Sequence, residues 1–181
     1  MTLAPLLITT FQPWRAHQQA NTSDELVATL AKQSRLPSNS VLLRQVPVSF
    51  DIAPIRIISE IYRVRPGAVI CCGMAENRSY LSLEQQATCA HRRLQTKVDL
   101  PALLEGTVLS QISHDAGRYV CNHLYYKVLE NVSAAQPPVG VIFAHIPALS
   151  ADSTPFVLND FCKIAANLNQ MCCDRASGLY G

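Results

Sequence analysis

Apolar residues along this chain come in two rhythms. Short continuous runs (Leu6-Leu-Ile-Thr9, Val41 to Val48, Ala68-Val-Ile-Cys-Cys72 and Gly140 to His145) are bounded by turn residues and read as strands. Between them lie segments whose apolar residues fall three and four apart. Ile52, Ile55, Ile58, Ile61 and Tyr62 follow Asp51 at helical spacing and stop before Pro66-Gly67. Val157, Phe161, Ile164 and Leu168 do the same after Thr154-Pro155, a capping hydroxyl followed by a first-turn proline. Thr22-Ser-Asp-Glu25 has capping-box spacing and opens a helix through about Ser34. A further helix is expected from about Gly117 to Glu130, with more strands over Tyr80 to Ala87 and Val108 to Ile112.

Apolar strands alternating with amphipathic helices predict a three-layer α/β/α domain built on a mostly parallel, mixed sheet. Residues 1–181 are expected to form this one domain, since no repeat, low-complexity tract or linker interrupts them. In such sheets functional groups gather beyond the carboxyl ends of the strands. Cys72-Gly73 and His145 fall at two of those ends.

Bulk composition narrows the function classes. Of 181 residues, 49% are hydrophobic and only 15% charged, which excludes a disordered chain. A net charge of +2, with no basic run carrying interleaved aromatics, gives no footprint for nucleic acid or an anionic membrane. No apolar stretch is long enough to span a bilayer, and the opening Met1-Thr-Leu-Ala-Pro lacks a cationic leader region. The seven cysteines are an odd number and include the adjacent pairs Cys71-Cys72 and Cys172-Cys173. Without a secretion signal they are expected to be reduced thiols in a cytoplasmic protein. Neither metal nor cofactor is expected, because Cys89-Ala-His91 lacks zinc-ligand spacing and no glycine-rich phosphate loop occurs.

Three residues stand in settings that suit thiol catalysis. Cys121 lies in Ser113-His-Asp-Ala-Gly-Arg-Tyr-Val-Cys121-Asn, where the chain enters a helix. His145 ends an apolar strand just before Ile146-Pro147, and Glu84 lies in Arg78-Ser-Tyr-Leu-Ser-Leu-Glu84. A cysteine nucleophile needs a base to take its proton and a third group to hold that base. Each residue also has a plainer reading. Cys121 alone is a small buried hydrophobe, His145 a core imidazole bonded to a carbonyl, and Glu84, alternating with Ser82 and Gln86, part of a solvated strand face. With Asp115 as the helix cap, Cys121 falls beyond the first turn, and its thiolate depends on a histidine partner.

Read in order, these segments resemble the pyroglutamyl peptidase I family of cysteine peptidases. Thr9-Thr-Phe11-Gln-Pro13-Trp14 is similar to that family's opening T-G-F-x-P-F loop, and Asn21-Thr-Ser23 to its N-P-S. Val46-Pro-Val-Ser-Phe-Asp-Ile-Ala53 resembles its L-P-V-x-F-x-x-A segment, and Gly73-Met-Ala-Glu-Asn-Arg78-Ser with Glu84 its G-x-A-x-x-R-S…E block. Ala116-Gly-Arg-Tyr-Val-Cys121-Asn122 resembles the nucleophile block and Phe143-Ala-His145-Ile-Pro147 the histidine block.

The resemblance implies Cys121 as nucleophile, His145 as general base and acid, and Glu84 as the orienting carboxylate. It implies the Cys121 backbone N–H and Arg78 as oxyanion donors, and a pocket for a neutral lactam made by Phe11, Trp14, Met74, Tyr119 and Val120. The implied substrate is a small peptide with an amino-terminal pyroglutamyl residue, and a homo-oligomer is left open. Departures keep two alternatives in play. Thr10 stands for a glycine, Gln12 often for an acid, and Trp14-Arg15-Ala16 for Phe-Gly-Gly, while the stretch between Ala87 and Val108 is short. A cysteine amidohydrolase of altered preference, or a non-catalytic binding protein that kept the fold, fits those changes as well.

Overall fold

The computed structural model describes residues 3–14, 20–135 and 138–176, with backbone alone at 175 and 176. In chain order the elements are β1 (Leu6–Phe11), α1 (Thr22–Lys32), β2 (Ser40–Val46), α2 (Ile52–Val64), β3 (Ala68–Ala75), β4 (Leu81–Glu84), β5 (Gln86–Cys89), β6 (Arg92–Gln95), α3 (Leu100–Leu103), β7 (Ser110–Ser113), α4 (Val120–Val132), β8 (Gly140–Pro147) and α5 (Thr154–Ala176). Six strands form one sheet in the order β2-β1-β3-β8-β4-β7, and β5 pairs β6 as a separate antiparallel hairpin. All main-sheet pairs are parallel except β4 with β8. This is the three-layer, mostly parallel, mixed sheet expected.

The apolar runs are continuous because their strands are covered on both faces. β1, β3 and β8 are buried along nearly their whole length. Alternate residues feed two cores. Leu6, Ile8, Ile70, Cys72, Ile142 and Ala144 pack under Leu26, Leu30, Phe161 and Ile164 of α1 and α5. Leu7, Phe11, Val69, Cys71, Val141 and Phe143 pack under Ile57 of α2 and Leu124, Tyr125 and Val128 of α4. Cys71 and Cys72, adjacent in sequence, therefore point into opposite cores.

Several boundaries differ from expectation. Asn21, not Thr22, caps α1: its side chain accepts from the Ser23 N–H at 3.0 Å. The run from Tyr80 to Ala87 is two strands, because the chain leaves the main sheet after Glu84 and enters the hairpin at Gln86. The predicted helix from Gly117 begins instead at Val120. Asp115 spends its carboxylate on the Gly117 N–H at 2.9 Å, and Gly117 then turns with φ of 80°. That left-handed turn, cheap for glycine, delays the helix by three residues. Thr10 replaces a glycine without strain, since it sits in β1 and does not take a positive φ. Arg15 and Ala16 lie outside the described residues.

Candidate active site at the carboxyl ends of β3 and β8

Parallel pairing of β3 with β8 sets Gly73 beside His145, and antiparallel β4 sets Ser82 on the other side of His145. Glu84, two residues beyond Ser82, shares its face of the sheet. Its carboxylate reaches back diagonally: Oε1 lies 2.7 Å from His145 Nδ1. The same oxygen accepts from Arg78 Nη1 at 2.6 Å, and Arg78 Nη2 donates to the Asp115 carbonyl at 2.8 Å. Glu84 is fully buried rather than part of a solvated face, so a charged group here depends on these partners. Among the described residues its Oε2 has no hydrogen-bond partner.

The delayed start of α4 changes the setting of Cys121. Tyr119 is the extended N-cap residue, so Cys121 is the second residue of the helix rather than one beyond its first turn. Its backbone N–H is one of the donors that a helix start leaves without an intrahelical acceptor. The helix is tied down near this end. The Asn122 side chain exchanges two hydrogen bonds with the Thr88 backbone, at 2.9 and 2.8 Å, and Tyr125 Oη donates to the Glu84 carbonyl at 3.0 Å. Close approach to β3 is possible only because residue 73 is glycine. A Cβ there would stand 2.8 Å from Cys121 Sγ.

Cys121 and His145 line one cavity of about 480 Å³. Arg78, Met74, Val120 and Tyr119 also line it, and Trp14 closes one side with its ring centroid 6.4 Å from that of Tyr119. Trp14 and Tyr119 are 51% and 68% exposed. Phe11 is not brought to this cavity: it is only 3% exposed and packs in the α2/α4 core. Phe50 lines the cavity instead, though sequence reasoning did not single it out. The signal was present, an aromatic in a Pro-Val-Ser-Phe-Asp loop where no core-facing periodicity required one.

The electrostatics oppose a ready-made thiolate. Cys121 is half-buried, opening on the cavity with protein on its other sides. Burial first, and then the Glu84 charge, push its thiol up to about 12, with Arg78 pulling weakly the other way. The resting sulfur is therefore a neutral thiol at neutral pH. Bonding of His145 Nδ1 to Glu84 fixes the tautomer in which Nε2 is the acceptor. The arrangement thus supplies a thiol, a base with an orienting carboxylate, and a helix-start N–H for a developing negative oxygen. Among the described residues, no three His, Cys, Asp or Glu side chains gather as a metal site, and no helix is long and apolar enough to cross a membrane.

Comparison with known proteins points the same way. The pyroglutamyl peptidase family model matches residues 86–155, a stretch that contains Cys121 and His145. The pyrrolidone-carboxylate peptidase of Gloeobacter violaceus is 28% identical over 170 residues, covering 80% of this chain and 82% of that protein. Both matches support the pyroglutamyl peptidase family. Pyrrolidone-carboxylate peptidase 1 of Caldanaerobacter subterraneus is 26% identical over 190 residues, covering 87% of this chain and 92% of its own length. The fold is that of the family's solved structures. The crystal structure of Bacillus amyloliquefaciens pyroglutamyl peptidase I superposes with a TM-score of 0.80 at 20% identity, covering 92% of this chain and 97% of that one. These similarities indicate a cysteine peptidase.

Proposed function

We propose that the chain removes an amino-terminal pyroglutamyl residue from peptides, with Cys121 as nucleophile, His145 as general base and acid, and Glu84 as orienting carboxylate. The observation that carries the reading is the 2.7 Å contact of His145 Nδ1 with a buried Glu84 in the cavity that Cys121 lines.

On this reading the raised thiol is neutral until substrate arrives. His145 Nε2 takes the thiol proton as sulfur bonds to the pyroglutamyl carbonyl carbon, and the carbonyl electron pair moves onto oxygen. The Cys121 backbone N–H faces that oxygen. Arg78, whose donors are only partly used by Glu84 and the Asp115 carbonyl, is the second candidate. Collapse expels the peptide amine, which receives the proton from imidazolium and leaves a thioester. Water, deprotonated by His145, then releases free pyroglutamate and restores the thiol. The lactam is neutral and flat, which suits a pocket of Trp14, Tyr119, Val120 and Met74 around a few backbone groups. Reduced thiols at Cys71, Cys72, Cys89 and Cys162 agree with a cytoplasmic setting.

A second reading, an amidohydrolase of altered preference, is favoured by Phe11 lying in the core while Trp14 stands on the cavity wall. One assay separates the two. Wild-type protein is expected to hydrolyse a pyroglutamyl aminocoumarin amide, and Cys121→Ala to abolish turnover. A wild type that ignores this substrate yet turns over another small acyl amide through Cys121 supports the second reading.

A further inference from the structure

A second, apolar depression lies beside the active-site cavity and shares a wall with it. Phe50 lines both. From Phe50 the groove, about 460 Å³, runs over Pro54, Ile55 and Ile58 of α2 and ends against His123 of α4. Phe50 and His123 meet edge to face with centroids 5.4 Å apart. Ile55 is 64% exposed, an apolar side chain held in water on an otherwise amphipathic helix. Asp51 and Lys127 stand on the groove's border with opposite charges, so it presents no net attraction for an ion.

The chemistry of the proposed reaction decides what such a groove can meet. A pyroglutamyl group has no free amine, so nothing precedes it in the chain. All remaining substrate therefore lies on the side of the leaving amine. The main cavity is also much larger than a single five-membered lactam. We infer that the Phe50–Ile55–Ile58 groove receives an apolar side chain of the leaving peptide, from its first or second residue. This inference rests on the pyroglutamyl-peptidase reading and extends it to the substrate class. The preferred substrates are peptides whose pyroglutamyl residue is followed closely by a large apolar side chain, with glycine or an acidic residue there disfavoured.

The test compares kcat/KM for pyroglutamyl peptide amides carrying phenylalanine, leucine, glycine or aspartate at the first or second leaving position, with the aminocoumarin amide run alongside. At one of the two positions, phenylalanine or leucine is expected to exceed glycine by about tenfold. The phenylalanine-to-glycine ratio is expected to collapse towards one in Ile55→Ser, whose exposed site tolerates the change in folding. If the aminocoumarin amide is cleaved but the ratio is already near one at both positions, the groove assignment is overturned and the activity stands. A wild-type ratio that survives unchanged in Ile55→Ser overturns it equally. If no pyroglutamyl substrate is cleaved, the activity and the groove fall together.

Discussion

The sulfur of Cys121 stands 2.8 Å from the point where a side chain at Gly73 would place its Cβ. The Phe143 ring closes the same space at 3.0 and 3.1 Å. Phe143 is fully buried and cannot retreat freely, and the Cys121 sulfur, its backbone held at the start of α4, can yield only by turning about χ1. Gly73→Ala is therefore expected to displace the thiol, lowering kcat more than it raises KM. Overpacking of this kind costs about 1–3 kcal/mol. Denaturant unfolding together with steady-state kinetics would check both. Full activity in Gly73→Ala would mean that the position of the sulfur is not set by β3.

Glu84 acts on two partners in opposite senses. It orients His145, and its charge helps push the Cys121 thiol up. Glu84→Gln is expected to lower kcat by about 10²–10⁴-fold, the scale seen when the orienting carboxylate of a triad becomes an amide. The same change removes a negative charge from beside the sulfur, so thiol alkylation by iodoacetamide at about pH 8 should become faster, not slower. Burial, the larger cause, remains, and the thiol stays above its ordinary value. A fall in both rates would show that Glu84 does not raise the thiol.

How much of this was visible in sequence depended on how a residue's partners lie along the chain. β1, β3 and β8 were legible because burial on both faces leaves continuous apolar runs, and α2 and α5 because their spacing is local. The β5–β6 hairpin was not, since its turn uses Ala90 at a φ of 51° without the usual Asn-Gly or Gly signal. Glu84 looked like one member of a polar alternation, and its burial follows from the place of β4 between β8 and β7, which local sequence does not reveal. The start of α4 was misjudged because Asp115 serves a turn at Gly117 instead of a helix N-terminus. Phe11, by contrast, was open to a simple count. Leu7, Thr9 and Phe11 share one face of β1, and Leu7 is a core residue, so the strand's period directs Phe11 to the core as well.

The buried cysteines predict an alkaline limit to stability. Burial raises Cys71 to about 12 and Cys72 well above its ordinary value. A thiol whose folded value exceeds its unfolded one holds its proton more tightly when folded. Its contribution is whole below about pH 9, the unfolded value, and is lost as pH rises towards the folded one. The thermal midpoint should therefore fall progressively above about pH 9. Cys71→Ala, though less stable throughout, should show a shallower fall. Parallel alkaline slopes for the two proteins would remove Cys71 as the cause.

The departure at Thr10 predicts a compensating role in holding α1 against the edge of the sheet. Thr10 Oγ1 donates to Asp24 Oδ1 at 2.6 Å and accepts from the Gln45 N–H at 3.2 Å. Arg44 completes the cluster with two bonds of 2.8 Å to the same carboxylate. Burial alone would raise the Asp24 carboxyl, but hydrogen bonds from Arg44, Thr10 and Gln45 more than offset it and hold the group below its ordinary value. The sign follows from linkage. Stability from Asp24 is present above the unfolded value of 3.8 and is lost as pH falls through the lower folded value. Thr10→Val keeps the side-chain shape, removes one donor to Asp24 and leaves the Gln45 N–H without its hydroxyl acceptor. It is expected to cost about 1–3 kcal/mol near neutral pH. The folded Asp24 value should also move up towards 3.8, so that less stability is lost on acidification than in wild type. Urea unfolding of both proteins at pH values on either side of that point measures the two effects together. A stability difference that is the same at every pH would assign the loss to the Gln45 N–H alone and take Thr10 out of the carboxylate's environment.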